Sequence, residues 1–431
     1  MEKVFIEPLR KSWDEILKRP VFDSSALEST VDGILKDIKI NGDEAVKKYS
    51  LQFDGVTLNA FRVSLDEFAE GESLVVPELK NAIQQAKQNI EIFHSAQTEA
   101  INKIETVPGV NCWRKSIPIQ KVGLYIPGGT APLFSTLLML GVPAKIAKCS
   151  EIVVCTPADK NGKVNPVILY VAKLIGIENV FKIGGVQAIG AMAYGTESVP
   201  QVYKIFGPGN QYVTCAKQLV NKAGVAIDMP AGPSEVAVYA DETAQPSFVA
   251  ADLLSQAEHG GDSQVVLVCS SELIVSKVQK EVEEQLMNLS RRDIAIKALQ
   301  HSRYIVLKNV ETAFDLLNEY AAEHLIIASD NALALSEKVI NAGSVFIGHY
   351  SPESVGDYAS GTNHTLPTNG YARAYSGVSL DSFFKKVTFQ QLSKEGINNI
   401  GNAVEIMAAA EGLDAHKNAV SIRIKNLEDR I

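Results

Sequence analysis

Val122-Gly-Leu-Tyr-Ile-Pro-Gly-Gly-Thr130 is a short apolar, β-rich run that breaks into a glycine turn. Three further runs of this kind follow, at Ile152–Thr156, Val180–Ile183 and Val202–Phe206, each succeeded by glycine, proline or a helical pattern. Short strand signals alternating with helices predict a parallel α/β domain. A second set follows at Val236–Tyr239, Val265–Cys269, His324–Ala328 and Val345–Gly348. Between its strands a helix carries Ile274, Val278, Val282 and Leu286 on one stripe. The expected fold class is α/β, two tandem Rossmann-like α/β domains plus a small helical C-terminal segment. Tandem units suggest duplication, although no repeat shows in the sequence itself.

Outside these sets the pattern changes. Residues 23–105 read as mostly helical. Asp23 or Ser24 caps a helix running to about Lys39, and Ile83, Ala86, Ile90 and Phe93 mark an amphipathic one. Ser351–Ser379 is rich in Gly, Ser, Thr, Asn and Pro, and a connector of that length inside a compact domain is usually functional. Residues 381–431 return to helix, with Ile406, Ala409 and Ala410 facing inward, and close on a strand-like Val420-Ser-Ile-Arg-Ile424. The expected division is an N-terminal arm (1–22), a first α/β domain (23–120 and 236–380), a second α/β domain (121–235), and a C-terminal segment (381–431).

A chain of 431 residues can bury a large core in two or more domains. With 46% hydrophobic and 21% charged residues it has the composition of an ordinary globular protein. A net charge of -9 argues against a nucleic-acid partner, which needs a basic face. The longest apolar run, Leu133–Ala144, contains Gly141 and Pro143 and falls short of the roughly 20 residues of a membrane span. The N-terminus lacks the apolar core of a secretory signal, so the cytoplasm is the expected compartment. Five cysteines with no CxxC pair suggest reduced thiols, with Cys155 and Cys269 serving as small buried hydrophobes.

Three glycine clusters follow strands: Tyr125–Thr130, Ile183-Gly-Gly-Val-Gln-Ala-Ile-Gly190 and Phe206-Gly-Pro-Gly-Asn210. Each alone reads as a tight turn. Together on one α/β domain they point to a cofactor cleft, since such turns expose helix N-terminal amides to an anion. None matches GxGxxG. In Ala251-Asp-Leu-Leu-Ser-Gln-Ala-Glu-His259 the i, i+3 spacing sets Gln256 and His259 on one helix face, while Glu258 points about 100° away. Imidazole with oxygen donors and no cysteine suits a cation of the zinc or manganese type. Adjacent Glu323-His324 reads either as an acid–base pair or as a favourable imidazole at a helix C-terminus. His94, His301 and His349 read as ordinary structural or surface histidines.

From Ile227-Asp-Met-Pro-Ala-Gly-Pro-Ser-Glu235 and the stretch Ala251–His259, the chain closely resembles the histidinol dehydrogenase family. Further matching pieces are Gly184–Ala188, Gly207–Asn210, Glu323–Leu325, Gly361-Thr-Asn-His-Thr-Leu-Pro-Thr368, Arg373, Ser376-Gly377 and Glu411-Gly-Leu-Asp-Ala-His416. The resemblance runs in order through nearly the whole chain. It implies a four-electron oxidation of L-histidinol through histidinal to L-histidine, with two NAD+ used in succession. It implies one Zn2+ per subunit on Gln256, His259, Asp357 and His416, holding the substrate through its imidazole and amino nitrogens. His324 would take the alcohol proton, and Glu323 would activate the water that attacks histidinal. Ser234, Glu353, His364 and Glu411 match substrate-contacting positions; Tyr125, Gln187 and Asn210 match NAD positions. The resemblance also implies a homodimer in which His416 and Glu411 serve the partner's site. Rival readings are a zinc- and NAD-dependent dehydrogenase of another small polyol such as sulfopropanediol, a zinc hydrolase, and a cysteine-dependent aldehyde dehydrogenase.

Overall fold

The computed structural model describes residues 3–20, 24–128 and 132–428. Asp23 and the Gly129-Thr130 end of the first glycine cluster lie outside the described residues. In chain order the strands are β1 (Lys3–Ile6), β2 (Lys103–Val107), β3 (Val110–Pro118), β4 (Lys121–Tyr125), β5 (Glu151–Thr156), β6 (Val180–Lys182) and β7 (Lys204–Phe206). They continue with β8 (Ala226–Ile227), β9 (Glu235–Ala240), β10 (Gln264–Cys269), β11 (Arg303–Val306), β12 (His324–Ala328), β13 (Ser344–Ile347) and β14 (Phe384–Leu392).

Two parallel sheets carry the fold, as the alternating pattern predicts. One has the order β6-β5-β4-β7-β8, the other β1-β11-β10-β9-β12-β13. Counted from β4 and from β9, the sheets run 3-2-1-4-5, the doubly wound order short of its sixth strand. The second sheet adds β1 at its edge, paired in parallel with β11. Their central strands are apolar along both faces because helices cover both sides. The first sheet is covered in part by the helix Phe134–Ile146, whose residues from Ser135 to Ala144 are all buried.

The N-terminal helices differ from expectation in two ways. The first continues beyond Lys39 to Tyr49, with non-helical backbone at Gly42 (φ 50°, ψ −129°). Its Val31, Ile34, Leu35 and Ile38 share a core with Val153, Phe181 and Ile189 of the first sheet's layers. It therefore packs with residues 121–235, not with 236–380 as the expected division had it. Gly190 makes this approach possible, since a Cβ there would lie 2.8 Å from Ile38 Cδ1.

Residues 97–118 and 383–431 form a separate compact unit. Its antiparallel sheet has the order β14-β3-β2, followed by helices Lys394–Ala410 and Asp414–Glu428. Three expectations fail here. Phe384–Leu392 is a strand within the residues 381–431 read as helix. Val420–Ile424 is helical, not a strand. Val420 and Ile424, four residues apart, meet Gly401 of the neighbouring helix, where a Cβ would come within 2.5 Å of Ile424. Ile406, Ala409 and Ala410 are exposed, and the inward residue is Ala408.

Candidate active site

Glu323 and His324 lie at the amino end of β12, level with Glu235 and Val236 of β9. The chain reaches them from the helix Val310–Tyr320 through Ala321, whose left-handed backbone (φ 54°) ends the helix. Both side chains are buried. Glu323 Oε2 accepts the Glu235 backbone N–H at 2.9 Å. His324 Nδ1 is 3.8 Å from that same Oε2. On its other side His324 Nε2 lies 3.3 Å from Asp357 Oδ1. Neither of those two buried atoms has a hydrogen-bond partner.

Asp357 and Glu353 come from a short helix, Glu353–Tyr358, inside the stretch that the sequence presents as a long loop. Burial lifts the Glu323 carboxyl to about 7 despite the neighbouring His324. It lifts Glu353 to about 8. Burial opposes a proton on His324, but Glu323, Asp357 and Glu353 outweigh it and raise the imidazole to about 10. Asp357 remains below the usual carboxylate range, because His324 beside it overcomes its desolvation. Carboxylates and imidazoles so pushed apart in pKa are what proton transfer near neutral pH requires.

Gln256 is fully buried on the helix Pro246–Ala257. With its amide turned to satisfy its neighbours, nitrogen donates to both Glu353 oxygens (3.0 and 3.1 Å) and oxygen accepts from Glu235 N–H (3.2 Å). His259 lies in the turn after the helix, its N–H bonded to Gln256 O at 3.2 Å, and is exposed. Desolvation lowers its pKa against the pull of Asp357. The structure thus brings Gln256, His259 and Asp357 into one neighbourhood around His324. Among the described residues no three His, Cys, Asp or Glu side chains gather as a ready metal site. The trio Gln256, His259 and Asp357 has only two of those types. The unpartnered Asp357 Oδ1, with hard oxygen and imidazole donors around it, fits a divalent cation. Binding one through Gln256 oxygen requires the amide to leave Glu235.

His364 donates from Nδ1 to Asp357 O (2.9 Å), which leaves neutral Nε2 to accept from the Thr136 hydroxyl at 3.1 Å. Burial holds its pKa down, consistent with that neutral form. Ser234 stands immediately before β9, its carbonyl bonded by Gln264 N–H at 3.2 Å. Glu411 and His416 belong to the separate unit of residues 97–118 and 383–431, where both are exposed.

The three candidate NAD residues line one cavity of about 1090 Å³. It lies at the carboxyl ends of the first sheet, where a strand order that reverses opens a crevice. Tyr125 ends β4, and its hydroxyl accepts the Gly185 N–H at 3.1 Å. Gln187 Nε2 donates to Asp54 Oδ2 at 3.0 Å, while its Oε1 has no partner. Asn210 caps the helix Gln211–Lys222, its Oδ1 accepting from Tyr212 and Val213 N–H. The Glu323–His324 group, in contrast, sits at the amino ends of its sheet.

Several residues in these sites carry no local sequence signal. Arg19 holds Glu235 through two bonds of 2.5 and 2.9 Å. Ser255 donates to Glu353 at 2.7 Å. Asp54 and Thr136 join across more than a hundred residues to Gln187 and His364. Only Ser255, one position from Gln256, lies near enough in sequence for spacing to suggest it. Burial raises the pKa of four cysteines, Cys149, Cys155, Cys215 and Cys269. A thioester mechanism needs the opposite shift.

Known proteins resemble this chain over nearly its whole length. The sequence pattern of the family described as histidinol dehydrogenase matches residues 17–424. The chain is 59% identical over 428 residues to histidinol dehydrogenase of Bacteroides thetaiotaomicron, covering 99% of this chain and 100% of that one. It is 53% identical over 412 residues to that of Xanthomonas euvesicatoria, covering 95% and 96%. The crystal structure of histidinol dehydrogenase from Elizabethkingia anophelis superposes with a TM-score of 0.97 at 56% identity, over 99% of each chain.

Proposed function

The chain belongs to the histidinol dehydrogenase family, and from that premise we propose that it oxidises L-histidinol through L-histidinal to L-histidine. NAD+ in the cavity of Tyr125, Gln187 and Asn210 supplies the hydride acceptor for both steps. A zinc ion on Gln256, His259, Asp357 and the partner subunit's His416 supplies a template for the substrate's nitrogens and offsets carboxylate charge that keeps His324 protonated. In the first step His324 takes the alcohol proton as the carbinol carbon gives up a hydride, yielding the aldehyde and NADH. In the second, Glu323 removes a proton from water as its oxygen bonds to the aldehyde carbon, and the aldehyde oxygen takes up a proton to complete the gem-diol. The gem-diol then gives a hydride to a second NAD+ and a proton to the base, leaving the carboxylic acid, which ionises to the carboxylate. The first step releases one NADH and one proton, the second one NADH and two protons.

The chain's own residues prepare these transfers. Glu323 near pH 7 is poised to accept a proton from water. Its orientation is set by the Glu235 N–H. Glu353, held by Ser255 and Gln256, and neutral His364 offer polar contacts to substrate. Ser234, Glu411 and His416 complete the proposed substrate set, the last two from the partner of a homodimer. Among the described residues no helix is long and apolar enough to cross a membrane; we place the enzyme in the cytoplasm. The observation that carries the reading is the His324–Asp357 pair, 3.3 Å apart with both facing atoms unpartnered, beside Glu323. NADH formation with histidinol and with small polyols such as sulfopropanediol tests it. Turnover confined to histidinol is expected, and turnover of a polyol alone would reject it.

A further inference from the structure

Asn210, at the end of the turn Gly207-Pro-Gly-Asn210, lines the proposed NAD cavity. Gly207 has φ 127°, and a Cβ there would lie 2.1 Å from Tyr125 O, so the turn is pressed against the end of β4. Its backbone is gripped from both sides by one buried ion pair. Lys217 Nζ donates to Gly207 O at 2.8 Å. Asp228 Oδ2 accepts Gly207 N–H at 2.8 Å, and its Oδ1 accepts Met229 N–H at 2.8 Å. Lys217 and Asp228 also bond directly to each other, with side chains 5% and 1% exposed. Lys217 sits in the helix that Asn210 caps, whereas Asp228 follows β8 at the sheet edge. The pair therefore ties the helix, the sheet edge and the turn to a single point.

We propose that Lys217 and Asp228 are positioning residues for dinucleotide binding, holding the 207–210 turn so that the Asn210 side-chain amide nitrogen faces the cofactor. A buried ion pair is a poor source of net stability, because desolvation consumes most of its attraction. Apolar residues would serve packing as well. A function for the charges follows from their targets: both partners spend hydrogen bonds on the same residue, Gly207, in a turn whose Asn210 lines a ligand cavity. Asn210 Oδ1 is committed to its cap, which leaves the amide nitrogen to offer a ligand. Displacing the turn by an ångström misaims that donor.

The inference rests on reading the cavity as the NAD site, and the test separates the two. NAD+ binding to the zinc-loaded full-length protein is measured by calorimetry for wild type, Lys217→Arg, Lys217→Met and the double variant Lys217→Met/Asp228→Asn, which leaves no lone buried charge. Thermal midpoints and the KM for histidinol at saturating NAD+ are measured alongside. The double variant is expected to bind NAD+ at least tenfold more weakly, with histidinol KM within twofold of wild type. Lys217→Arg, retaining charge and donors, should recover most of the affinity. Unchanged NAD+ affinity in a folded double variant overturns the proposal, as do equal losses for NAD+ and histidinol. Failure of the wild-type protein to bind NAD+ overturns the functional reading, and this proposal with it.

Discussion

Arg19→Met removes a cation from Glu235, a buried carboxylate near the proposed catalytic pair. Arg19 gives Glu235 two hydrogen bonds, donates to Tyr320 O at 2.6 Å and lies 4.2 Å over the Tyr320 ring. The Glu235 side chain is only 3% exposed and keeps just the Asn369 N–H, at 2.9 Å, once Arg19 is lost. Removing one partner of such a pair costs about 3–5 kcal/mol, roughly a hundredfold to several-thousandfold in the folded-to-unfolded ratio. The pH dependence has a definite sign. Burial already raises the Glu235 pKa, and Arg19 opposes that rise. Without Arg19 the folded-state value climbs further above the unfolded one, near 4.3. A carboxyl whose folded pKa is raised binds its proton more tightly when folded, so stability falls as pH rises through that value. Arg19→Met should therefore lose more stability at pH 8 than at pH 5. Urea unfolding followed by tryptophan fluorescence reads this, since Trp13 is buried in the core beneath β9 and β12. A loss below about 1 kcal/mol at pH 8, or the same loss at both pH values, would refute the reasoning.

Other consequences concern the chemistry. His324→Gln should slow histidinol oxidation, and Glu323→Gln should mainly slow histidinal oxidation, each by about 10²- to 10⁴-fold, the usual contribution of a general base. Equal effects of both substitutions on both half-reactions, followed by stopped-flow NADH absorbance, would count against the division of labour. Chelator treatment should abolish NADH production and Zn2+ should restore it; activity persisting at undetectable metal content would remove the cation from the account. Mixed His416→Ala and His324→Ala subunits should regain activity if sites are shared across a dimer. No recovery in demonstrated heterodimers would argue for sites complete within one subunit.

The parallel sheets were legible because each central strand, buried on both faces, is a near-continuous apolar run; His324–Ala328 is recovered residue for residue. Edges were not legible. β1 leaves Val4 and Ile6 exposed, and nothing in Lys3–Ile6 says that its partner lies at 303–306. The β2–β3 hairpin and β14 were missed because their faces are mostly part-exposed, so apolar runs are broken. Val420–Ile424 misled through its β-branched residues, whose strand preference yields to a helix packing them on Gly401. At the site, spacing exposed Gln256, His259 and the Glu323-His324 pair. It exposed neither Arg19, 216 positions from Glu235, nor the Lys217–Asp228 clamp, because contacts between distant segments leave no periodicity to read. The resemblance to a family supplied Asp357, Glu353 and His364, which local pattern alone places in a loop.

The most direct test of the central claim is the amount of NADH formed per histidinol consumed to completion by the purified zinc-loaded enzyme with excess NAD+. Two NADH, accompanied by histidine, is the predicted result. One NADH with accumulation of histidinal would contradict it.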